Sequence, residues 1–231
     1  MDWADFFHGY VPAAAIFNAH AHFVDGLHDR LSDLNRNDPH LHIQMELSLI
    51  GLASHFEAFC KDHFASLINI CPQLLERFGA SRGDVTIHLS DLLKVADSLP
   101  YRMGSVIAEK YDFGSAKKIN ALFSDLLKIS PFTKDEQRRY EMFLEDRNLL
   151  VHHGGTYTLA YSRNPIEDIE SKYFGYSLII TRESYDEWKE FLIKIVTKVA
   201  KTSQISLKEY VNEKGLLLTP EAAEAVDLLT L

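Results

Sequence analysis

The stretch TKDEQRRYEMFLEDRNLLVHHGG, residues 133–155, decides how this chain is read. It opens with Thr133 and Glu136 at the spacing of a capping box, in which each side chain satisfies a free amide of the first helical turn. It closes with Gly154-Gly155, where glycine readily takes the left-handed conformation of a helix exit. The spacing therefore predicts a helix from the Thr133 cap through Tyr140, Phe143 and Leu144 to the His152-His153 pair. On a wheel of about 100° per residue, Tyr140, Phe143, Leu144, Leu150 and Val151 form one apolar face, and Arg147 falls within about 20° of Tyr140, in its middle. A guanidinium is always charged, and its unpaired burial is strongly unfavourable. Arg147 thus needs an acidic partner, a phosphate or an opening onto a cleft. Asn148 and His152, four residues apart at the edge of that face, are within reach of one another. His153 points toward the side of Met142 and Leu149 and reads as a surface or helix-end residue.

The segments upstream also carry helical periodicity. Ile16, Phe23, Leu27, Leu31 and Leu34 make one stripe, ended at Asn35-Arg36-Asn37-Asp38-Pro39, where Asp38 can cap a following helix that has Pro39 at its first position. That second helix extends to about Ile70 and buries Leu49, Leu52, Phe56, Phe59, Cys60, Phe64, Leu67 and Ile68, with Glu57 and Asp62 interrupting the apolar run. A short helix through Phe78 follows Cys71-Pro72, and Gly79 to Gly83 reads as a turn. Ser90 is a candidate cap for a short helix carrying Leu92, Leu93 and Val95. Ser115 caps a helix with Ile119, Leu122, Phe123, Leu126 and Ile129, which Ser130-Pro131 stops.

Beyond Gly155 the period changes. Thr156 to Ser162 and Tyr173 to Thr181 are rich in Tyr, Leu, Ile and Thr and predict a small β-hairpin around Asn164-Pro165. Ser184 and Glu187 suggest a second capping box, before a helix that buries Tyr185, Trp188, Leu192, Ile195 and Val199. One more short helix is expected from Pro220 to Leu229. With no linker that divides it, the chain reads as a single mainly α domain, residues 1–231, with a core over about 12–202 and a tail over 203–231.

Composition limits what such a domain does. The 231 residues are 46% hydrophobic and 25% charged, an ordinary globular balance with ample material for a core. A net charge of −9 argues against a broad nucleic-acid surface, although a small basic cleft suffices to act on one phosphodiester. Met1-Asp2-Trp3-Ala4-Asp5 lacks the positive start of a secretory signal, and no apolar run approaches the roughly 18 residues that span a bilayer. Cys60 and Cys71 read as reduced structural thiols of a cytoplasmic protein.

The chemistry that suits Arg147, Asn148 and His152 is metal-free phosphodiester cleavage. An arginine neutralises charge on a phosphorane-like transition state, and a histidine moves a proton near neutral pH. In RNA the 2′-OH supplies the nucleophile, so the protein need not. Asn148 would orient His152 or hold the phosphate. Arg147-Asn148-Leu149-Leu150-Val151-His152 resembles the Arg-Asn-x-x-x-His signature of the HEPN superfamily. The longer run from Asp146 to Gly155 is similar to the RiboL-PSP-HEPN and MAE-type branches. Further resemblance comes from Leu52-Ala53-Ser54-His55-Phe56-Glu57-Ala58-Phe59, from Tyr111-Asp112-Phe113-Gly114-Ser115 and from Ile119-Asn120-Ala121-Leu122-Phe123; together these cover roughly residues 45 to 200.

The resemblance implies an up-and-down helical bundle and a homodimer in which the motif helices share a cleft. It implies a metal-independent endoribonuclease of toxin, phage-defence or RNA-processing type, with an antitoxin or defence-system protein as a possible partner. Other members only bind partners or nucleotides. On this reading Arg147 stabilises the phosphate, His152 is general acid or base, and Asn148 is the polar residue after the arginine; Glu57 and His153 are supporting positions. Arg147 and His152 lie about 140° apart on one helix, which suits a cleft where each subunit offers its arginine to its partner's histidine. A purely structural alternative pairs Arg147 with Glu57 or another core acid, and leaves Asn148 and His152 to finish the helix.

No metal or cofactor is expected. His20 and His22 point about 160° apart on a helix, and no cysteine pattern supports a site among His20, His22, His28, His40 and His42. Tyr157, Tyr161, Tyr173 and Tyr176 suit base stacking, but aromatics in strands are more often packing residues.

Overall fold

A computed structural model describes residues 13–30, 39–83, 85–159, 161 and 175–230. It is a mainly helical bundle. Nine α-helices form among the described residues: α1 (Ala13–Arg30), α2 (Pro39–Ile70), α3 (Leu74–Arg82), α4 (Leu89–Lys94), α5 (Leu99–Ala108), α6 (Ala116–Leu127), α7 (Lys134–His153), α8 (Arg182–Lys214) and α9 (Pro220–Leu228). No described helix is long and apolar enough to cross a membrane. The chain forms two compact units, one of residues 1–17, 57–132 and 194–231, the other of residues 18–56 and 133–193. The long helices α2 and α8 each contribute to both.

The first unit is organised around Phe64, which is fully buried. Its ring meets Phe78 at 5.5 Å, Phe113 at 5.6 Å and Phe123 at 5.8 Å, all edge to face, the arrangement that the aromatic quadrupole favours. Gly104 on α5 lies directly on the backbone of α2: a Cβ there would stand 2.0 Å from the Ala65 carbonyl oxygen, and the Gly104 amide donates to Asn69 Oδ1 at 2.7 Å. Asn120 closes the exit of α6 by donating to and accepting from the Phe132 backbone, at 2.7 and 2.8 Å. α8 runs on past residue 202 to Lys214, burying Leu207 and Tyr210, and the Tyr210 hydroxyl donates to the Gln73 carbonyl at 3.0 Å. The expected last helix forms, capped by Thr219.

The second unit contains α1 from Asn18, the first part of α2, α7 and the start of α8. Phe56 packs on Tyr140 at 5.2 Å, and Phe143 packs on Trp188 at 5.4 Å. His28 is buried between elements: its Nε2 meets Ser48 Oγ at 2.9 Å and its ring meets the Tyr185 ring at 4.7 Å. Lys189 donates to Asp25 and Asp186, at 2.5 and 3.0 Å, tying α1 to α8.

Several expectations hold. α2 ends at Ile70, and all eight residues named for its buried face are buried. Thr133 and Glu136 form the reciprocal capping box, Ser115 caps α6, and Gly154 ends α7 with φ of 56°. Cys60 and Cys71 are free, buried thiols.

Others are corrected. Phe23 and Leu27 are 77% and 43% exposed; α1 buries Ala14, Phe17, Ala21 and His28 instead, because small residues and a bonded histidine let it pack closely. Leu31, Leu34 and Asp38 lie outside the described residues. Gly79 is inside α3, which ends at Gly83 with φ of 79°. Ser90 does not cap α4; it sits in the first turn after His88. α6 stops at Leu127 because Lys128 turns left-handed, with φ of 60°. The cap of α8 is Thr181, paired reciprocally with Ser184 at 3.0 and 3.1 Å, one turn earlier than a Ser184–Glu187 box.

The β-hairpin is not seen. Among the described residues the only pairing is an isolated antiparallel bridge, Thr156 with Ser177. It is held by Tyr157 N to Tyr176 O at 2.9 Å and Leu178 N to Gly155 O at 2.7 Å. Gly155 and Gly175 bracket it in left-handed backbone, at φ of 75° and 84°, so the extended run stops there. The Tyr161 hydroxyl is drawn to Asp146 on the side of α7, which overrides the strand propensity of Tyr161 itself. Tyr173 and Asn164-Pro165 lie outside the described residues.

Candidate functional site

The candidate site occupies the last two turns of α7. Its helix is set at both ends by local chemistry: the Thr133 amide donates to Glu136 Oε2 at 2.7 Å, and past Gly154 the Gly155 amide donates to the Leu149 carbonyl at 3.0 Å. Tyr140, Phe143, Leu149 and Leu150 are buried, whereas Val151 is 46% exposed. This rotates the expected apolar face by replacing Val151 with Leu149. The reason lies in the segment after the helix: it folds back so that the Tyr161 hydroxyl donates to Asp146 Oδ1 at 3.0 Å, on the face that Asp146 shares with Leu149.

Arg147 sits half-buried on the flank of this face. Its Nη1 donates to Asn148 Oδ1 at 2.9 Å. Asn148 is exposed and its carbonyl oxygen is turned to the arginine rather than to His152. His152 is exposed, one turn further on, with no hydrogen bond or ion pair to a described residue. His153 ends the helix in solvent, and its carbonyl accepts from Thr156 N at 3.0 Å. The structure therefore joins Arg147 with Asn148 and leaves His152 apart from both within one chain. Glu57 lies half-buried on α2 in the other unit.

Asp146 and Tyr161 were not legible as neighbours of the site. Tyr161 stands 15 positions beyond Asp146, and only the fold-back brings them together. Tyr157 and Tyr161 pair their rings at 5.1 Å, so these two aromatics pack together beside α7. Tyr176, in contrast, is 65% exposed.

The histidine-rich segment does not converge. His20 stacks on His55 at 3.9 Å, His22 approaches Asp25 at 3.9 Å, and His28 is bonded to Ser48. Among the described residues no three His, Cys, Asp or Glu side chains gather as a metal site. Comparison with protein-family models, with characterised proteins and with solved structures gives no match.

Proposed function

We propose that the protein is a metal-independent endoribonuclease of HEPN type, acting as a homodimer. The observation that carries this reading is the end of α7, where a half-buried guanidinium held by Asn148 precedes an exposed histidine by little more than one turn. In the proposed reaction the RNA 2′-oxygen attacks the adjacent phosphorus and the bond to the 5′-oxygen breaks. One imidazole takes the 2′-OH proton, another proton reaches the leaving 5′-oxygen, and Arg147 balances the charge on phosphorus. The products are a 2′,3′-cyclic phosphate and a 5′-hydroxyl. Two copies supply what one lacks, since Arg147 of one and His152 of the other face a shared phosphate. A toxin or phage-defence role, with a neutralising or defence-complex partner, is the setting that suits such an enzyme.

The test is cleavage of single-stranded RNA in EDTA by purified protein, with products read by mass spectrometry. We expect cutting, a cyclic-phosphate end, and a loss of about 100-fold or more in Arg147→Ala and His152→Ala. Abolition by EDTA, or normal cutting by both variants, overturns the mechanism.

A second reading, a non-catalytic dimer module that binds a protein partner or a nucleotide, is favoured by the exposed apolar side chains Phe23, Leu27, Ile43 and Leu47 on α1 and α2. Here Arg147→Ala lowers the thermal midpoint and no RNA is cut by either protein.

A further inference from the structure

The first unit holds a cleft of about 510 Å³ lined by Arg82, Tyr111, Asp112, Ser115, Lys117 and Lys118, with Ala121 and Leu122 beside them. Arg82 is fixed in it from two sides. Its Nε donates to Asp125 Oδ2 at 2.6 Å, and its guanidinium carbon lies 5.6 Å from the Tyr111 ring centre and 5.7 Å from that of Phe78. Both terminal nitrogens remain without a hydrogen bond to a described residue, so the fork is oriented yet unspent. Planar, pre-set guanidinium forks suit bidentate recognition of an oxyanion.

The carboxylate on the wall, Asp112, and the one that holds Arg82, Asp125, are already engaged. Asp125 also accepts from Ser81 Oγ at 2.6 Å, and Asp112 is bound to Lys118 and accepts from the Gly114 amide at 2.7 Å. Lys117 is exposed and has no ion-pair partner among the described residues. Of the three cations that line the cleft, Arg82 and Lys118 pair with Asp125 and Asp112, and Lys117 adds a positive charge beyond them, in a chain whose overall charge is −9. Ser115 Oγ accepts from Lys118 N at 3.4 Å and keeps its own proton to donate.

From this geometry we infer that the cleft binds a phosphate group, carried by a free nucleotide or by a nucleic-acid strand. A guanidinium fork, an ammonium and a hydroxyl line one cleft, and together they offer the several donors that the oxygens of a phosphate accept. The volume exceeds that of phosphate alone and falls within the range of small-ligand pockets, leaving room for the group that bears it. This inference stands independently of cleavage at α7.

The test is isothermal titration of the full chain at low salt with inorganic phosphate, adenosine 5′-monophosphate, adenosine, and a 2′-O-methyl RNA oligonucleotide, which resists attack by its own 2′-oxygen. We expect the phosphate-bearing probes to bind and adenosine not to. Lys117→Glu should weaken binding at least tenfold, with Lys117→Arg close to wild type; both lie on the surface and should leave the thermal midpoint in place. Arg82→Gln, checked by the same melt, should act in the same direction as Lys117→Glu. Monophosphate binding without the oligonucleotide assigns a free nucleotide, and tighter oligonucleotide binding that Lys117→Glu reduces assigns a strand. Absence of binding by every phosphate-bearing probe, or binding unchanged in Lys117→Glu, overturns the inference. Arg147→Ala should retain the binding even if it cuts no RNA, which separates this site from the proposed enzyme.

Discussion

His63 on α2 and His152 on α7 carry the same imidazole into opposite surroundings. His63 is fully buried between Phe59 at 5.4 Å and Phe123 at 6.1 Å, both near-parallel, and neither ring nitrogen has a hydrogen-bond partner among the described residues. Burial pushes its pKa down to about 4, which keeps it neutral at pH 7. His152 stands in solvent near the end of α7. The first histidine is a packing residue carrying two orphaned polar atoms, and the second is open to solvent with little packing. Residue type alone does not separate these roles; accessibility and partners do.

The severest way to break the interior side of this comparison is at Gly104. Gly104→Ala places a methyl group 2.0 Å from a backbone oxygen, which only a shift of α5 away from α2 can relieve. We expect a loss of about 3 kcal/mol or more in urea unfolding, at the upper end of overpacking costs. Gly51, which is also helical, has open space around its Cβ direction and should tolerate alanine.

The next effect sharpens the contrast by pH. His63 titrates at about 4 when folded against 6.5 as the unperturbed value, so the unfolded chain binds the proton first. Stability is therefore full above pH 6.5 and is lost as pH falls toward 4, by an amount on the order of 3 kcal/mol. His63→Leu should remove this part of the acid limb in denaturation curves taken at successive pH values, and should hold or raise stability at pH 7 because it removes both orphaned nitrogens. Burial, aided by the nearby Arg182, also lowers the pKa of His28, so the His63 variant retains a smaller acid-sensitive component.

The smallest effect tests the site's scaffold. Thr133→Ala removes half of the capping box at the start of α7 and should cost about 1 kcal/mol by chemical denaturation. The site lies at the other end of the helix, so any RNA cleavage should persist at temperatures well below the melt.

Local rules made the ends of α7 legible: Thr133, Glu136 and Gly154 act through hydrogen bonds and dihedrals within a few residues. The buried face of α2 was legible because its apolar period is long and unbroken. The stripe on α1 was misread since Phe23 and Leu27 match helical spacing equally well, and hydrophobicity does not show which side a neighbour covers. Of the hairpin, the described residues show a single antiparallel bridge between its two expected arms, because Tyr, Thr and Leu favour strands only where a partner extends the pairing, and here Tyr161 is claimed by Asp146.

The sequence by itself determined that Arg147, Asn148 and His152 stand on the last two turns of a capped helix, because three fixed spacings on 3.6-residue periodicity leave little freedom. Only tertiary structure decided that Leu149 rather than Val151 is buried, that Tyr161 meets Asp146, and that Arg82 is presented by Asp125 and Tyr111. Those outcomes depend on contacts between residues distant in the chain, and such contacts exist only once the chain has folded.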